Sequence, residues 1–166
     1  MKRVCVFCAS SMGTEAAFSA AAREMGETLV HRNLALLYGG AGVGLMGLIA
    51  DTVLKHGGHV HGVIPRSMVD REIAHRGLTH LDVVETMHQR KARMADLSDA
   101  FIAMPGAYGT LDELFEILTW KQLGLHNKPV GILNVDGYFD GLLEFLDHPS
   151  APGPVAAPRH PHNAQL

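Results

Sequence analysis

Glu113 closes the segment Met104-Pro105-Gly106-Ala107-Tyr108-Gly109-Thr110-Leu111-Asp112-Glu113, in which a glycine-bearing turn runs from an apolar stretch into a helix with acidic residues near its start. Residues 100–104 are apolar and bounded by Pro105, so they read as a buried strand. Beyond the turn, Leu111, Leu114, Phe115, Leu118 and Gln122 fall on one stripe and predict an amphipathic helix running to residue 123. A strand, a glycine turn and a helix N-terminus present unpaired backbone N–H groups and the positive end of a helix dipole. Gly106, Ala107, Tyr108, Gly109 and Thr110 are therefore expected to cradle a phosphate without any lysine, with the Glu113 carboxylate at hand. The plainer reading of Glu113, shared with Asp112 and Glu116, is dipole compensation in the first helical turn.

Basic chemistry is offered by Met87-His88-Gln89-Arg90-Lys91-Ala92-Arg93-Met94, which opens the preceding helix. Arg90 and Lys91 fall in its first turns, where cations oppose the helix dipole, so anion binding accounts for a placement that local electrostatics disfavours. A solvated helix face is the alternative. Glu72 follows a proline-initiated loop and reads equally as a surface charge or a ligand contact. Gly42-Val43-Gly44-Leu45-Met46-Gly47 matches G-x-G-x-x-G between a strand and a helix, but the next strand ends in Gly62-Val63-Ile64-Pro65 rather than in the acid that would hold a ribose. A nicotinamide-dependent oxidoreductase is thus the weaker reading, and tight strand-to-helix packing competes with it. No P-loop lysine motif is present.

These groups need a scaffold that brings loops to one edge. Apolar runs at 3–9, 34–38, 59–64, 81–84, 100–104 and 129–133 predict strands, and helical segments at 16–31, 45–56, 87–97, 110–123 and 138–146 alternate with them. Such alternation predicts a single-domain α/β fold, Rossmann-like, with a mostly parallel sheet and helices on both faces. Ligands in these sheets bind outside the carboxyl ends of the strands. Three loops converge there: the one holding Ser10, the one holding Gly39 and Gly40, and residues 105–110. The domain is expected to span 1–148. Residues 149–166 hold five of the eight prolines without apolar periodicity, and are expected to be a disordered tail.

The 166 residues, 47% hydrophobic, suffice for one core without staples. A net charge of −3 and no dense basic patch argue against a nucleic-acid partner. No apolar run approaches the roughly 18 residues of a membrane span, and no signal peptide is evident, so a cytoplasmic protein is expected. Cys5 and Cys8 form a C-x-x-C inside a strand, where residues three apart face opposite ways, and so read as packing. His59 and His61 share a strand face, yet no carboxylate or cysteine stands at ligand spacing nearby in sequence, so no metal is expected.

The chain resembles the Lonely Guy (LOG) family of cytokinin-activating phosphoribohydrolases, formerly often labelled lysine decarboxylases. The likeness rests on residues 4–11, 38–47, 87–91, 105–113 and 118–126, in one colinear order across residues 2–147. It implies hydrolysis of the N-glycosidic bond of adenosine 5′-monophosphates with an N6 substituent, without metal or organic cofactor, by a homodimer whose sites lie near the subunit interface. It implies Arg90 and Glu113 as the catalytic pair, with Glu72, Lys91, Gly109, Thr110 and Thr119 among the substrate contacts. Residue types agree: cleaving a ribosyl bond builds positive charge that a carboxylate stabilises. Two departures stand out. Ala107 replaces the second glycine of the family's P-G-G-x-G-T-x-x-E; were positive φ or close backbone approach needed there, its Cβ would cost about 1–2 kcal/mol and leave a nucleotide binder without catalysis. The proline-rich tail stands where the family continues with a further helix.

Overall fold

The structure is a computed structural model that describes residues 1–71 and 73–147. The predicted tail and Glu72 lie outside the described residues. Six strands, β1 (Arg3–Phe7), β2 (Ala35–Tyr38), β3 (Val60–Pro65), β4 (His80–Val84), β5 (Ala100–Ala103) and β6 (Val130–Ile132), form one sheet in the order β4-β3-β2-β1-β5-β6. Every pairing is parallel. Helices α1 (Ala16–His31), α2 (Gly44–Lys55), α3 (Arg66–Val69), α4 (Met87–Leu97), α5 (Tyr108–Gln122) and α6 (Asp140–Asp147) fill the connections.

Alternation along β1 divides the core in two. Val4 and Val6 pack with Leu36, Tyr38 and the buried faces of α1 and α2, whereas Cys5 and Phe7 pack with Leu37, Val63, Phe101 and the inner residues of α4 and α5. Cys5 and Cys8 accordingly fall in different core clusters, both free and buried, and burial pushes both thiols well above their ordinary range. That leaves them as apolar filler, with no thiolate for redox work.

The structure differs from the sequence expectations at α5. This helix begins at Tyr108, and its buried residues are Thr110, Leu114 and Ile117. Phe115 and Gln122 of the predicted stripe face solvent, while Leu111 and Leu118 are only partly covered. Trp120 packs partly buried against the second core cluster. The four-residue α3, which follows directly from β3, was not foreseen, because Pro65 and so short a run give no periodic signal. Among the described residues no helix is long and apolar enough to cross a membrane.

Strand order reverses between β1 and β5, which makes the crevice at their carboxyl ends the topological switch point. The Ala9 N–H donates to the Pro105 carbonyl at 3.1 Å and ties the loop after β1 to the turn after β5. Ser10 and residues 105–110 thereby share one edge of the sheet.

Candidate active site

At that edge α4 and α5 lie side by side and set Arg90 against Glu113. Thr86 caps α4, its hydroxyl accepting from the Gln89 N–H while the Gln89 side chain accepts from the Thr86 N–H. Arg90 follows in the first turn and turns inward: its Nε donates to the Val63 carbonyl at 3.0 Å, and Nη1 lies 3.1 Å from Glu113 Oε1. Side-chain exposure is 8% for Arg90 and 12% for Glu113, so this is a buried pair and not a surface salt bridge. A Cβ at Gly39 would run into the Arg90 guanidinium, which makes Gly39 the floor on which that group lies. Burial raises the Glu113 pKa above its ordinary value of 4.5, and Arg90 offsets this only in part.

Because α5 starts at Tyr108, Glu113 stands in its second turn, and the first turn contains no acidic residue. Dipole compensation therefore does not account for its position. Lys91 lies 3.1 Å from both Asp112 and Glu116. Burial alone would lower its pKa, but the hydrogen bonds to those carboxylates outweigh burial and hold the ammonium above its ordinary range. The placement of Arg90 and Lys91 near the start of α4 is thus answered by acids of α5. With its ammonium form favoured and paired to two carboxylates, Lys91 is poorly suited to form a Schiff base.

The N-terminus of α5 carries no side-chain cap, since Ala107 occupies the N-cap position. Among the described residues, no acceptor is present for the N–H groups of Tyr108, Gly109 and Thr110. The Gly106 carbonyl accepts from the Tyr138 hydroxyl at 2.9 Å, a partner 32 residues away that the sequence did not reveal. Gly106 has no room for a Cβ, which would strike the Thr110 side chain, whereas a Cβ at Gly109 would meet only open space. Ala107 has φ −83° and is exposed. The positive φ considered at this position is absent, so the Ala107 Cβ carries no left-handed backbone penalty.

The second helix facing this edge behaves differently. The Leu45 and Met46 N–H groups of α2 donate to the carbonyls of Ser11 and Ala9 at 3.2 Å each. Gly44 has φ +61°, and a Cβ there would collide with the Ser10–Ser11 backbone; one at Gly47 would lie 2.6 Å from Gly42. The G-x-G-x-x-G match is therefore explained by loop-to-helix packing, with the first turn of α2 already occupied by protein carbonyls. Gly40 is buried against Ile64 and Leu81, which makes it part of the scaffold, and Ser10 is exposed at the rim. Thr119 lies on the outward face of α5, with its hydroxyl donating to the Phe115 carbonyl at 2.7 Å, and is not brought to the Arg90–Glu113 pair within one chain.

Fold and site together define a doubly wound α/β protein with an uncapped helix N-terminus and a buried carboxylate–guanidinium pair at its switch point. A family model described as "Possible lysine decarboxylase" matches residues 46–160. The cytokinin riboside 5′-monophosphate phosphoribohydrolase LOG1 of Arabidopsis thaliana is 56% identical over 146 residues, 88% of this chain and 68% of that protein. The probable phosphoribohydrolase LOGL5 of Oryza sativa subsp. japonica is 54% identical over 157 residues, 95% of this chain and 64% of that protein. Among solved structures, the molybdenum cofactor binding protein of Rippkaea orientalis shares the fold, with TM-score 0.70, 22% identity and coverage of 88% and 85%. The chain belongs to the LOG family of cytokinin riboside 5′-monophosphate phosphoribohydrolases. It spans between 58% and 70% of the length of such curated relatives.

Proposed function

We propose that the protein hydrolyses the N-glycosidic bond of N6-substituted adenosine 5′-monophosphates, and of AMP itself, to free base and ribose 5-phosphate. The observation that carries this reading is the buried Arg90–Glu113 pair beside an uncapped helix N-terminus. The 5′-phosphate takes the N–H groups of Tyr108, Gly109 and Thr110, which places the ribose toward Glu113 in the following turn. As the C1′–N bond lengthens, positive charge builds on the sugar and the base departs with the bonding electron pair, taking up a proton from solvent; the ionised Glu113 stabilises that charge, orients the attacking water and accepts the proton the water loses as its oxygen bonds to C1′. Arg90 favours the ionised form of Glu113 against the effect of burial and donates hydrogen bonds to substrate, but it is too weak an acid to surrender a proton to the leaving base. Lys91 acts by fastening α4 to α5, Gly39 and Gly40 support the site from beneath, Ser10 contributes at its rim, and Glu72 is a further substrate contact that the family likeness implies. The enzyme works in the cytoplasm as a homodimer; the exposed apolar side chains Tyr108, Phe115, Leu123 and Leu125 support that assembly and give Thr119 a route to a neighbouring site.

The test is incubation of purified protein with isopentenyladenosine 5′-monophosphate, AMP and the unphosphorylated nucleoside, with separation of the products. Base and ribose 5-phosphate are expected from the monophosphates and not from the nucleoside. Glu113→Gln is expected to lower turnover by about 10²- to 10⁴-fold; equal turnover by that variant removes Glu113 from the mechanism.

A further inference from the structure

A cluster at the start of β3 and β4 belongs to none of the chemistry above. Parallel pairing sets His61 opposite His80, and Asp82, two residues on, returns to the same face of β4. One ligand atom from each of the three lies within 4.8 Å of the other two. His80 Nε2 is 2.9 Å from Asp82 Oδ1, and the two imidazoles meet edge to face with centroids 4.5 Å apart. His61 Nε2 comes within 3.3 Å of Asp82 Oδ2 but without the alignment of a hydrogen bond, so this buried nitrogen has no partner.

We infer that His61, His80 and Asp82 form a binding site for a divalent transition cation of the zinc type, fastening the edge strand β4 to β3. Two imidazole nitrogens and one carboxylate oxygen are the donor set of Zn²⁺ and its neighbours, and not of Mg²⁺ or Ca²⁺, which take oxygen. A cation at the centre gives the orphaned His61 Nε2 the partner it lacks. The His80 side chain is 63% exposed, which leaves the metal open to solvent for a fourth, water ligand. A cavity of about 320 Å³, lined by both histidines together with Arg3, His59 and Thr79, adjoins the cluster and gives an ion access. Arg93 competes for the site, its Nε donating to Asp82 Oδ2 at 2.8 Å from a side chain that is 48% exposed and free to swing away. The sequence showed none of this, because His80 and Asp82 reach His61 only through strand pairing.

The test uses the full chain without a histidine tag, stripped with chelator and titrated with Zn²⁺ against a chromogenic competitor, and with Co²⁺ for its visible spectrum. One equivalent should bind, with a Co²⁺ absorption of tetrahedral type and a raised Tm. His80→Ala, at an exposed position, and Asp82→Asn should each weaken Zn²⁺ at least about tenfold and remove the cobalt band. Arg93→Gln, which removes the competing cation, should tighten binding. Failure to bind Zn²⁺ at micromolar concentration, or affinity unchanged in both His80→Ala and Asp82→Asn, overturns the site.

Discussion

At Glu113, burial raises the carboxyl pKa above 4.5 despite a guanidinium 3.1 Å away, and this has consequences for stability and for rate. A carboxyl whose folded pKa is raised holds its proton more tightly in the folded chain than in the unfolded one. Below pH 4.5 both states are protonated and the group contributes nothing; as pH rises through the folded pKa stability is lost, and the loss persists above it. Glu113→Gln removes that charge yet still offers an oxygen to Arg90. It is expected to melt at or above the wild-type temperature at about pH 7.5, the difference closing as pH falls toward the unfolded value. Melting curves across pH check this; a variant far less stable than wild type at neutral pH means that Arg90 depends on its partner's charge. In the same way, if the ionised form is the working one, the acid limb of kcat/KM lies above pH 4.5.

The two helices that face the switch-point edge were alike in sequence, each following a strand and a glycine run, and they differ in structure by where their first N–H groups go. Those of α2 are taken by the Ala9 and Ser11 carbonyls, and those of α5 are not. Sequence could not separate them, since the acceptors lie more than 30 residues away from α2. The start of α5 was misplaced by two residues because Tyr108 and Gly109 are poor helix formers, and that shift wrongly put Glu113 in the first turn. Placing a capping side chain at Ala107 tests the consequence. Ala107→Asp should stabilise the protein by about 0.5–2 kcal/mol through its cap bond to the same N–H groups, and raise KM for the monophosphate as it competes with phosphate. Denaturant unfolding and steady-state kinetics on one preparation read both effects; a gain in stability with KM unchanged places the phosphate elsewhere.

A matched pair of glycine substitutions separates scaffold from ligand contact on the same elements. Gly44→Ala forces a Cβ into the Ser10–Ser11 backbone at φ +61° and should destabilise by about 1–3 kcal/mol or more. Gly109→Ala enters open space within a helix, so its Tm should hold or rise slightly, while the added methyl obstructs the phosphate and raises KM. Thermal melts and kinetics distinguish the two, and a Gly109→Ala variant with wild-type KM shows that no ligand approaches that carbon.

For the molecule as a whole, strand and helix alternation made the parallel sheet legible, because each buried strand is a short apolar run whose period differs from that of the helices around it. The sheet order β4-β3-β2-β1-β5-β6 was not legible, and it is that order which brings Arg90 and Glu113, 23 residues apart, to one switch point. The sequence put Phe115 and Gln122 on one stripe with Leu111, Leu114 and Leu118, whereas Tyr108, Phe115 and Gln122, spaced by seven residues, share an outward face of α5. Exposure reaches 89% at Tyr108, the first residue of α5, and 67% and 69% at Leu123 and Leu125 just beyond its end, so large apolar side chains are left in water at both ends of this helix. In the proposed homodimer the inner face of this helix serves the core and its outer face meets the second copy of the chain. Leu123→Glu combined with Leu125→Glu leaves the inner face untouched. Light scattering should show the wild type as a dimer at micromolar concentration and the double variant as a folded monomer, with monophosphate turnover reduced if Thr119 acts across the interface; a monomeric wild type refutes the assembly.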